Sequence, residues 1–208
     1  MPLTAGKFSQ GMTPTEYIEQ IKVNKQPFVD IYNSVEIPPD VKSFFDGLAD
    51  PLNLAVFTAD WCGDAVSTTP AVLRLAESTG GLAVKVFNRD EELELTNSFL
   101  PEHRAGTVPV FVALDASMGE VSRFIETARS LVPLIDSMDE MIAQEVAGEG
   151  DSARALARGK RTAFRVARAK EWGNVILQEF CQVVKDGLAR PTDQRPAEGG
   201  TEWPPPQD

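Results

Sequence analysis

Cys62 is the residue whose type and setting offer chemistry first. It lies in the sequence WCGDA, residues 61–65, directly after an apolar run and at the start of a helical pattern. The free N–H groups and the positive dipole of a helix N-terminus favour a thiolate, the nucleophilic form of cysteine. Asp60 and Asp64 oppose this, because nearby negative charge disfavours another anion. We expect the helix terminus to prevail and to leave the Cys62 thiol with a pKa below the ordinary value of about 8.5.

Two other residues could take part in thiol chemistry. Cys181 is the only further cysteine and lies in an apolar helical pattern, so we expect it to be buried. It could act as a resolving thiol if its Cα lay within about 7 Å of that of Cys62, which the sequence leaves open. His103, the only histidine, could form a Cys–His pair, although no sequence signature accompanies it. A lone cysteine among aspartates lacks the usual metal ligands, and neither a metal nor a cofactor is predicted.

The elements that must position Cys62 can be predicted from hydrophobic patterns. Residues 52–57 form an apolar run typical of a buried strand. Apolar residues then recur at helical spacing from Val66 to Ala76, and Pro70 should kink this helix. The further predicted elements are a strand at 82–87 parallel to the first, a helix at 92–100, a strand at 108–114, an antiparallel strand at 120–125 and a helix at 130–147.

The strand, the Trp-Cys-Gly turn, the helix and Pro70 together resemble the active-site segment of thioredoxin. A second segment, GTVPVFV at 106–112, resembles the loop and strand of that fold in which a cis-proline faces the cysteine turn. By this resemblance the cis peptide precedes Pro109. The resemblance covers roughly residues 14–146 and is nearest to a bacterial subgroup carrying Trp-Cys-Gly-Asp-Ala. It implies an α/β thioredoxin-like fold, a central mixed sheet flanked by helices, with helical extensions at both ends.

The sequence departs from the thioredoxin pattern at two positions. Ala65 stands where the second cysteine is usual, and Val56 stands where the family has a buried aspartate. The resemblance therefore implies a monothiol thiol–disulfide oxidoreductase with Cys62 as the catalytic residue. The alternative is a redox-inert binding or scaffold module that uses the same groove. The partner would be a protein or a low-molecular-weight thiol. The groove residues implied are Trp61, Gly63, Asp64, Ala65, Thr107, Val108 and Pro109.

The hydrophobic patterns, the resemblance to thioredoxin and a change in composition after residue 147 together divide the chain into four segments. Residues 1–48 are predicted as an N-terminal helical extension and residues 49–147 as the thioredoxin-like domain. Residues 148–190 are predicted as a helical hairpin that docks on this core or on a twin subunit. Residues 191–208 are rich in proline, glycine and charge and are predicted to be disordered, with polyproline character near Trp203.

Five arginines share one face of the first helix in the 148–190 segment. We favour the interpretation that they neutralise acidic residues, among them Asp136, Asp139, Glu140 and Glu145, within the molecule or in a homodimer. Binding of phosphate or nucleic acid is the alternative. They are spaced four and three residues apart, so that all five lie on one face of a helix; they are Arg154, Arg158, Arg161, Arg165 and Arg168.

Net charge and hydropathy narrow the functional classes. The 208 residues carry a formal net charge of −11, which argues against general nucleic-acid binding and against anionic membranes. The first residues lack the apolar region of a secretory signal, and no run approaches the roughly 20 apolar residues of a membrane span. Two widely spaced cysteines are typical of a reducing compartment, so we expect a cytoplasmic protein.

Overall fold

Residues 3–201 are described by the computed structural model, which folds them into nine α-helices and one five-stranded sheet. The helices are α1 (Ala5–Phe8), α2 (Pro14–Gln20), α3 (Lys25–Ser34), α4 (Pro39–Asp46), α5 (Gly63–Ser78), α6 (Leu93–Asn97), α7 (Val132–Glu145), α8 (Ala153–Ala167) and α9 (Ala169–Ala189). The strands are β1 (Leu52–Thr58), β2 (Leu82–Asn88), β3 (Val110–Leu114), β4 (Glu120–Ile125) and β5 (Ala197–Gly200).

The sheet is mixed and has the strand order β2-β1-β3-β4-β5. The crossover through α5 makes β1 and β2 parallel, as predicted. β3 runs antiparallel to β1 and to β4, and the turn between β3 and β4 is held by Asp115, whose carboxylate accepts the N–H groups of Ser117 and Gly119. The predicted α/β fold with a central mixed sheet is therefore confirmed.

Alternation along the strands buries apolar side chains on both faces of the sheet. On one face the core contains Leu54 and Val56 of β1 together with α5 and α9. On the other face it contains Phe57, which stacks on Phe87 of β2, and this cluster also takes in Phe8 of α1. Helices thus cover both sides of β1, and the strand that leads to Cys62 is fully enclosed.

The N-terminal residues are mostly helical, as predicted, and α2 begins at a capping box between Thr13 and Glu16. One feature of this region was not predicted: Met12 forms an antiparallel bridge with Val86 at the outer edge of β2. One predicted element was wrong in its bounds, because the helix expected at 92–100 is only the short α6. The helix predicted around Pro70 is present as α5, which contains this proline.

The segment 148–190 contains two helices, as predicted, but they pack on different parts of the core. α9 lies on β4, β5 and α5, and its Phe180 makes edge-on contacts with Phe111 and Phe124 of the sheet. α8 packs chiefly against α3 and α7. The two helices therefore dock on this chain's own core, which is one of the two predicted alternatives, and they contact each other through Phe164 and Trp172.

The prediction of a disordered tail is wrong for its first part, because β5 pairs in parallel with β4. The close packing of β5 against its neighbours requires two of its residues to be glycine. A Cβ at Gly200, where φ is +92°, would lie 2.1 Å from the carbonyl oxygen of Ile125, and one at Gly199 would lie 2.2 Å from Val183. From composition alone, such glycines predict a disordered segment. Residues 202–208, with Trp203, lie outside the described residues, and the prediction for them stays a prediction.

Candidate functional site

Cys62 occupies the N-cap position of α5, where the chain leaves β1 and turns into the helix. Its backbone is extended, its N–H donates to the carbonyl oxygen of Ala59 at 3.3 Å, and its own carbonyl accepts the N–H of Val66 at 3.1 Å. Behind this turn the fully buried hydroxyls of Thr58 and Thr69 are hydrogen bonded at 3.0 Å. The start of α5 is thereby tied to the end of β1, which fixes the position of Cys62.

The loop before β3 brings Val108 against Cys62. Gly106 adopts a φ of +82°, a conformation that glycine reaches without a Cβ clash. The peptide between Val108 and Pro109 is cis, as predicted. The Sγ–H of Cys62 donates a hydrogen bond of 3.4 Å to the carbonyl oxygen of Val108. The two segments that the sequence predicted to face one another are therefore in contact.

The electrostatic setting of Cys62 differs from the expectation. Burial raises the pKa of its thiol, and the negative charges of Asp64 and Glu126 raise it further, although hydrogen bonds from the backbone N–H groups of Ala65 and Asp64 act in the opposite direction. The expected lowering of this pKa is therefore wrong. The sequence argument included Asp64 but missed the burial and Glu126, which directly follows β4. Asp60 instead accepts hydrogen bonds from the backbone N–H groups of residues 22 and 23.

Trp61 presents the largest exposed apolar surface of the turn, with 49% of its area accessible. Its indole Nε1–H donates to Asp90 at 2.9 Å, and the guanidinium of Arg89 lies 4.8 Å from the ring centroid. These contacts fix the orientation of the ring beside the turn. Ala65, where a second thiol would stand, is buried.

Arg165 of α8 covers the first turn of α5. Its Nη2 pairs with Asp64 at 3.0 Å, and only 8% of its side chain is exposed. A Cβ at Gly63 would lie 3.3 Å from Nη1, so the glycine leaves room for the guanidinium. The Nε–H is buried and has no hydrogen-bond acceptor among residues 3–201. The sequence placed Arg165 in the arginine face of α8 but gave no sign that this face reaches the Cys62 turn.

Cys181 and His103 do not join the site. Both cysteines are free thiols. Cys181 is buried on α9, and burial raises the pKa of its thiol, against an opposing effect of Lys185. His103 is exposed in a short 3-10 turn and makes no hydrogen bond to Cys62. Within the described part of the chain, no group of three or more His, Cys, Asp or Glu side chains could hold a metal ion.

Tyr17 of α2 is a neighbour of the site that sequence reasoning missed. Its side chain is 3% exposed, and its hydroxyl finds no hydrogen-bond partner among the described residues. Burial raises its pKa to about 12 against an opposing effect of the Thr58 hydroxyl, and the charges of Asp60 and Cys62 raise the pKa further. Only the apolar stripe of α2 signalled that this residue faces inward.

A buried arginine on the other side of the site was also missed. Arg104 lies just before the Pro109 loop and pairs with Glu126 at 2.6 Å through Nη2. Its Nη1 donates to the carbonyl oxygen of Thr201 at 3.0 Å, and the hydroxyl of Thr201 donates to Glu126. Thr201, which directly follows β5, is therefore tied to the segment before the Pro109 loop.

The family model described as thioredoxin matches residues 11–140, which is more than half of the chain. The chain belongs to the thioredoxin family. No curated protein matches this family member. None of its described helices combines the length and the apolar character needed to cross a bilayer.

Two solved structures resemble this thioredoxin-family protein in fold. One is a protein of unknown function, PA1234, from Pseudomonas aeruginosa, with 13% identity and a TM-score of 0.57 over 79% of this chain and 98% of the other. The second is an HIV epitope-scaffold with 14% identity and a TM-score of 0.51, over 78% of this chain and 92% of the scaffold. At these identities the likeness concerns the fold alone.

Proposed function

We propose that this thioredoxin-family protein is a binding module that holds an extended segment of a partner protein in the groove between the Cys62 turn and the Pro109 loop, without thiol–disulfide exchange. The observation that carries this proposal is the Cys62 thiol, which donates its hydrogen to Val108 and whose pKa is raised by burial. A thiol in that state is protonated at neutral pH and is a poor nucleophile.

The groove also lacks the groups that would complete an exchange reaction. Dithiol chemistry requires a second thiol to release the partner from its mixed disulfide. Ala65 stands where that thiol would be. The two cysteines are free thiols in different environments, since Cys62 is partly exposed and Cys181 is buried. Val56, where the family resemblance places a carboxylate, is fully buried. These features favour binding over catalysis.

Two groups near Cys62 favour recognition of an extended peptide. The backbone N–H of Val108 has no acceptor within the described residues, and a partner's carbonyl would accept it if the peptide reaches this buried residue. Trp61, next to Cys62 in the chain, provides an exposed aromatic surface. Backbone hydrogen bonds with a side-chain pocket beside them are a recurrent mode of peptide recognition.

A pH titration of Cys62 alkylation in a Cys181→Ser background tests the state of the thiol. We expect an apparent pKa above about 8.5, and a lower value in Asp64→Asn because one negative charge is removed. Asp90→Asn is the matched control, since Asp90 contacts Trp61 but does not contribute to the Cys62 pKa. A wild-type pKa below that value would overturn the proposal.

A peptide-binding assay distinguishes non-covalent binding from thiol–disulfide exchange. We expect an extended peptide selected by display to bind Cys62→Ser as tightly as the natural protein, in the presence of a reductant. Trp61→Ala should weaken this binding, because the exposed ring lies beside the groove. Capture that requires Cys62 and is reversed by a reductant would contradict the proposal.

The second candidate is a monothiol oxidoreductase, and one observation favours it. Cys62 lies at the start of a 16-residue helix, where the backbone N–H groups of Asp64 and Ala65 lower the thiol pKa against the other effects. In that reaction a Cys62 thiolate attacks a partner disulfide, one new S–S bond forms, and the second partner sulfur leaves as a thiolate. A low-molecular-weight thiol must then cleave the mixed disulfide.

A further inference from the structure

A cavity of about 370 Å³ lies on the far side of the Cys62 turn, between that turn and α8. Half of its lining residues are arginines, and no aspartate or glutamate among the described residues lines it. This concentration of positive charge occurs in a chain whose net charge is −11. The residues that line this cavity, the arginine cavity, are Asn24, Trp61, Gly63, Arg154, Arg158, Arg161, Thr162 and Arg165.

The charge of the arginine cavity is only partly neutralised. Arg161 pairs with Asp139 at 2.6 Å, which confirms that part of the predicted neutralisation, and Arg165 pairs with Asp64 at 3.0 Å. Arg154 and Arg158 form no ion pair with any residue from 3 to 201. The cavity therefore keeps the positive charge of two guanidinium groups.

Arg165 supplies a second, independent indication of a ligand. Its side chain is more than nine-tenths buried and lines the cavity, yet its Nε–H has no acceptor among the described residues. A buried donor without a partner costs about 1–3 kcal/mol. An anionic oxygen in the cavity would neutralise the unpaired arginines, and it would accept the Arg165 Nε–H once the guanidinium turns towards the cavity, because that atom has almost no exposed surface in this conformation.

We infer that the arginine cavity binds a small molecule with two or more anionic groups, phosphate or carboxylate. Arginine binds both groups through paired N–H donors, and the volume lies within the range of small-molecule sites. A nucleic acid fits poorly, because the acidic remainder of the chain repels an extended polyanion. The inference goes beyond the proposed function, since it concerns a small anionic ligand of α8 and no residue of the Pro109 loop lines the cavity, although Trp61 and Gly63 border both sites.

Calorimetric titration of the full chain tests this site with two probes, inorganic pyrophosphate and citrate, which separate phosphate from carboxylate ligands. We expect at least one to bind with a dissociation constant of about 1 mM or lower in low salt, and more weakly as salt is added. The double variant Arg154→Gln/Arg158→Gln should lose at least about tenfold in affinity, because it removes two charge-assisted donors.

The matched control is Lys160→Gln/Arg168→Gln, which removes the same charge from α8 and from the residue that follows it, at positions that do not line the cavity. Its affinity should stay within about twofold of the natural protein. In a parallel NMR experiment the Nε–H signal of Arg165 should shift when the probe binds. The inference is overturned if neither probe binds at about 10 mM, if the control loses as much affinity as the double variant, or if only an acidic peptide binds. None of these outcomes depends on the reactivity of Cys62.

Discussion

Cys62 is held as a hydrogen-bond donor, and its neighbours explain why. The helix terminus does favour a thiolate, through the N–H groups of Ala65 and Asp64. Burial opposes it more strongly, and two carboxylates add to that effect. The position of one cysteine at a helix N-terminus is therefore insufficient evidence that it is reactive, because its surroundings determine whether the thiol pKa is raised or lowered.

Tyr17 gives a residue-scale prediction of pH dependence. Its folded-state pKa of about 12 lies above the ordinary value of 10.0, so its contribution to stability is complete below pH 10 and is lost as the pH rises towards 12. We expect the free energy of unfolding to fall by roughly 2–3 kcal/mol more in the natural protein than in Tyr17→Phe over that range. Urea unfolding at several alkaline pH values measures the difference.

The other tyrosine supplies the control for this prediction. Tyr32 is less buried, and its hydroxyl is hydrogen bonded to Glu77. Tyr32→Phe should keep most of the alkaline loss, because Tyr17 is still present. Equal pH dependence in the natural protein and Tyr17→Phe would show that burial of this hydroxyl has no such effect.

Among the elements, α9 approaches the sheet so closely that one glycine is required. A Cβ at Gly187 would lie 2.2 Å from the carbonyl oxygen of Val121, a backbone atom of β4 that cannot rotate away. We expect Gly187→Ala to lower the free energy of unfolding by about 1–3 kcal/mol or more. Urea or thermal unfolding, followed by circular dichroism, measures this loss.

Gly159 of α8 is the matched control, because a Cβ there would meet nothing within 4 Å. Gly159→Ala should stabilise the helix by about 0.5–1 kcal/mol. If Gly187→Ala were as well tolerated as Gly159→Ala, the close packing of α9 on β4 would be refuted.

The sequence predicts those elements whose signal is local. The apolar run of β1, the parallel β2, the hairpin of β3 and β4 and the loop at Pro109 each have such a pattern, and all are present. β5 has none, because Gly199 and Gly200 owe their role to contacts with residues far away in the chain. The docking of α8 over the Cys62 turn could not be predicted from the sequence for the same reason, although the sequence did place Arg165 in the arginine face of α8.

At the scale of the whole molecule, the residues after α9 complete the sheet. A chain that ends at Asp193 lacks β5 and the contacts of Thr201 with Arg104 and Glu126. We expect its melting temperature to fall by roughly 5–10 °C, which corresponds to about 2–3 kcal/mol for a protein of this size. Differential scanning calorimetry measures the shift.

A chain that ends at Thr201 is the control for this truncation. It keeps β5 and loses only residues 202–208, for which the sequence predicts disorder, so it should melt with the full chain. If the chain that ends at Asp193 also melted with the full chain, β5 would contribute nothing to stability.

The contact of Phe180 with the sheet has a consequence for biosynthesis. Growing chains generally fold domain by domain from the N-terminus as they are translated. Here Phe111 and Phe124 are covered by α9, which is translated after both of their strands. The nascent polypeptide therefore carries an uncovered apolar sheet surface until α9 has emerged from the ribosome. We expect it to need chaperone protection until then, and any product that stalls before α9 to be degraded.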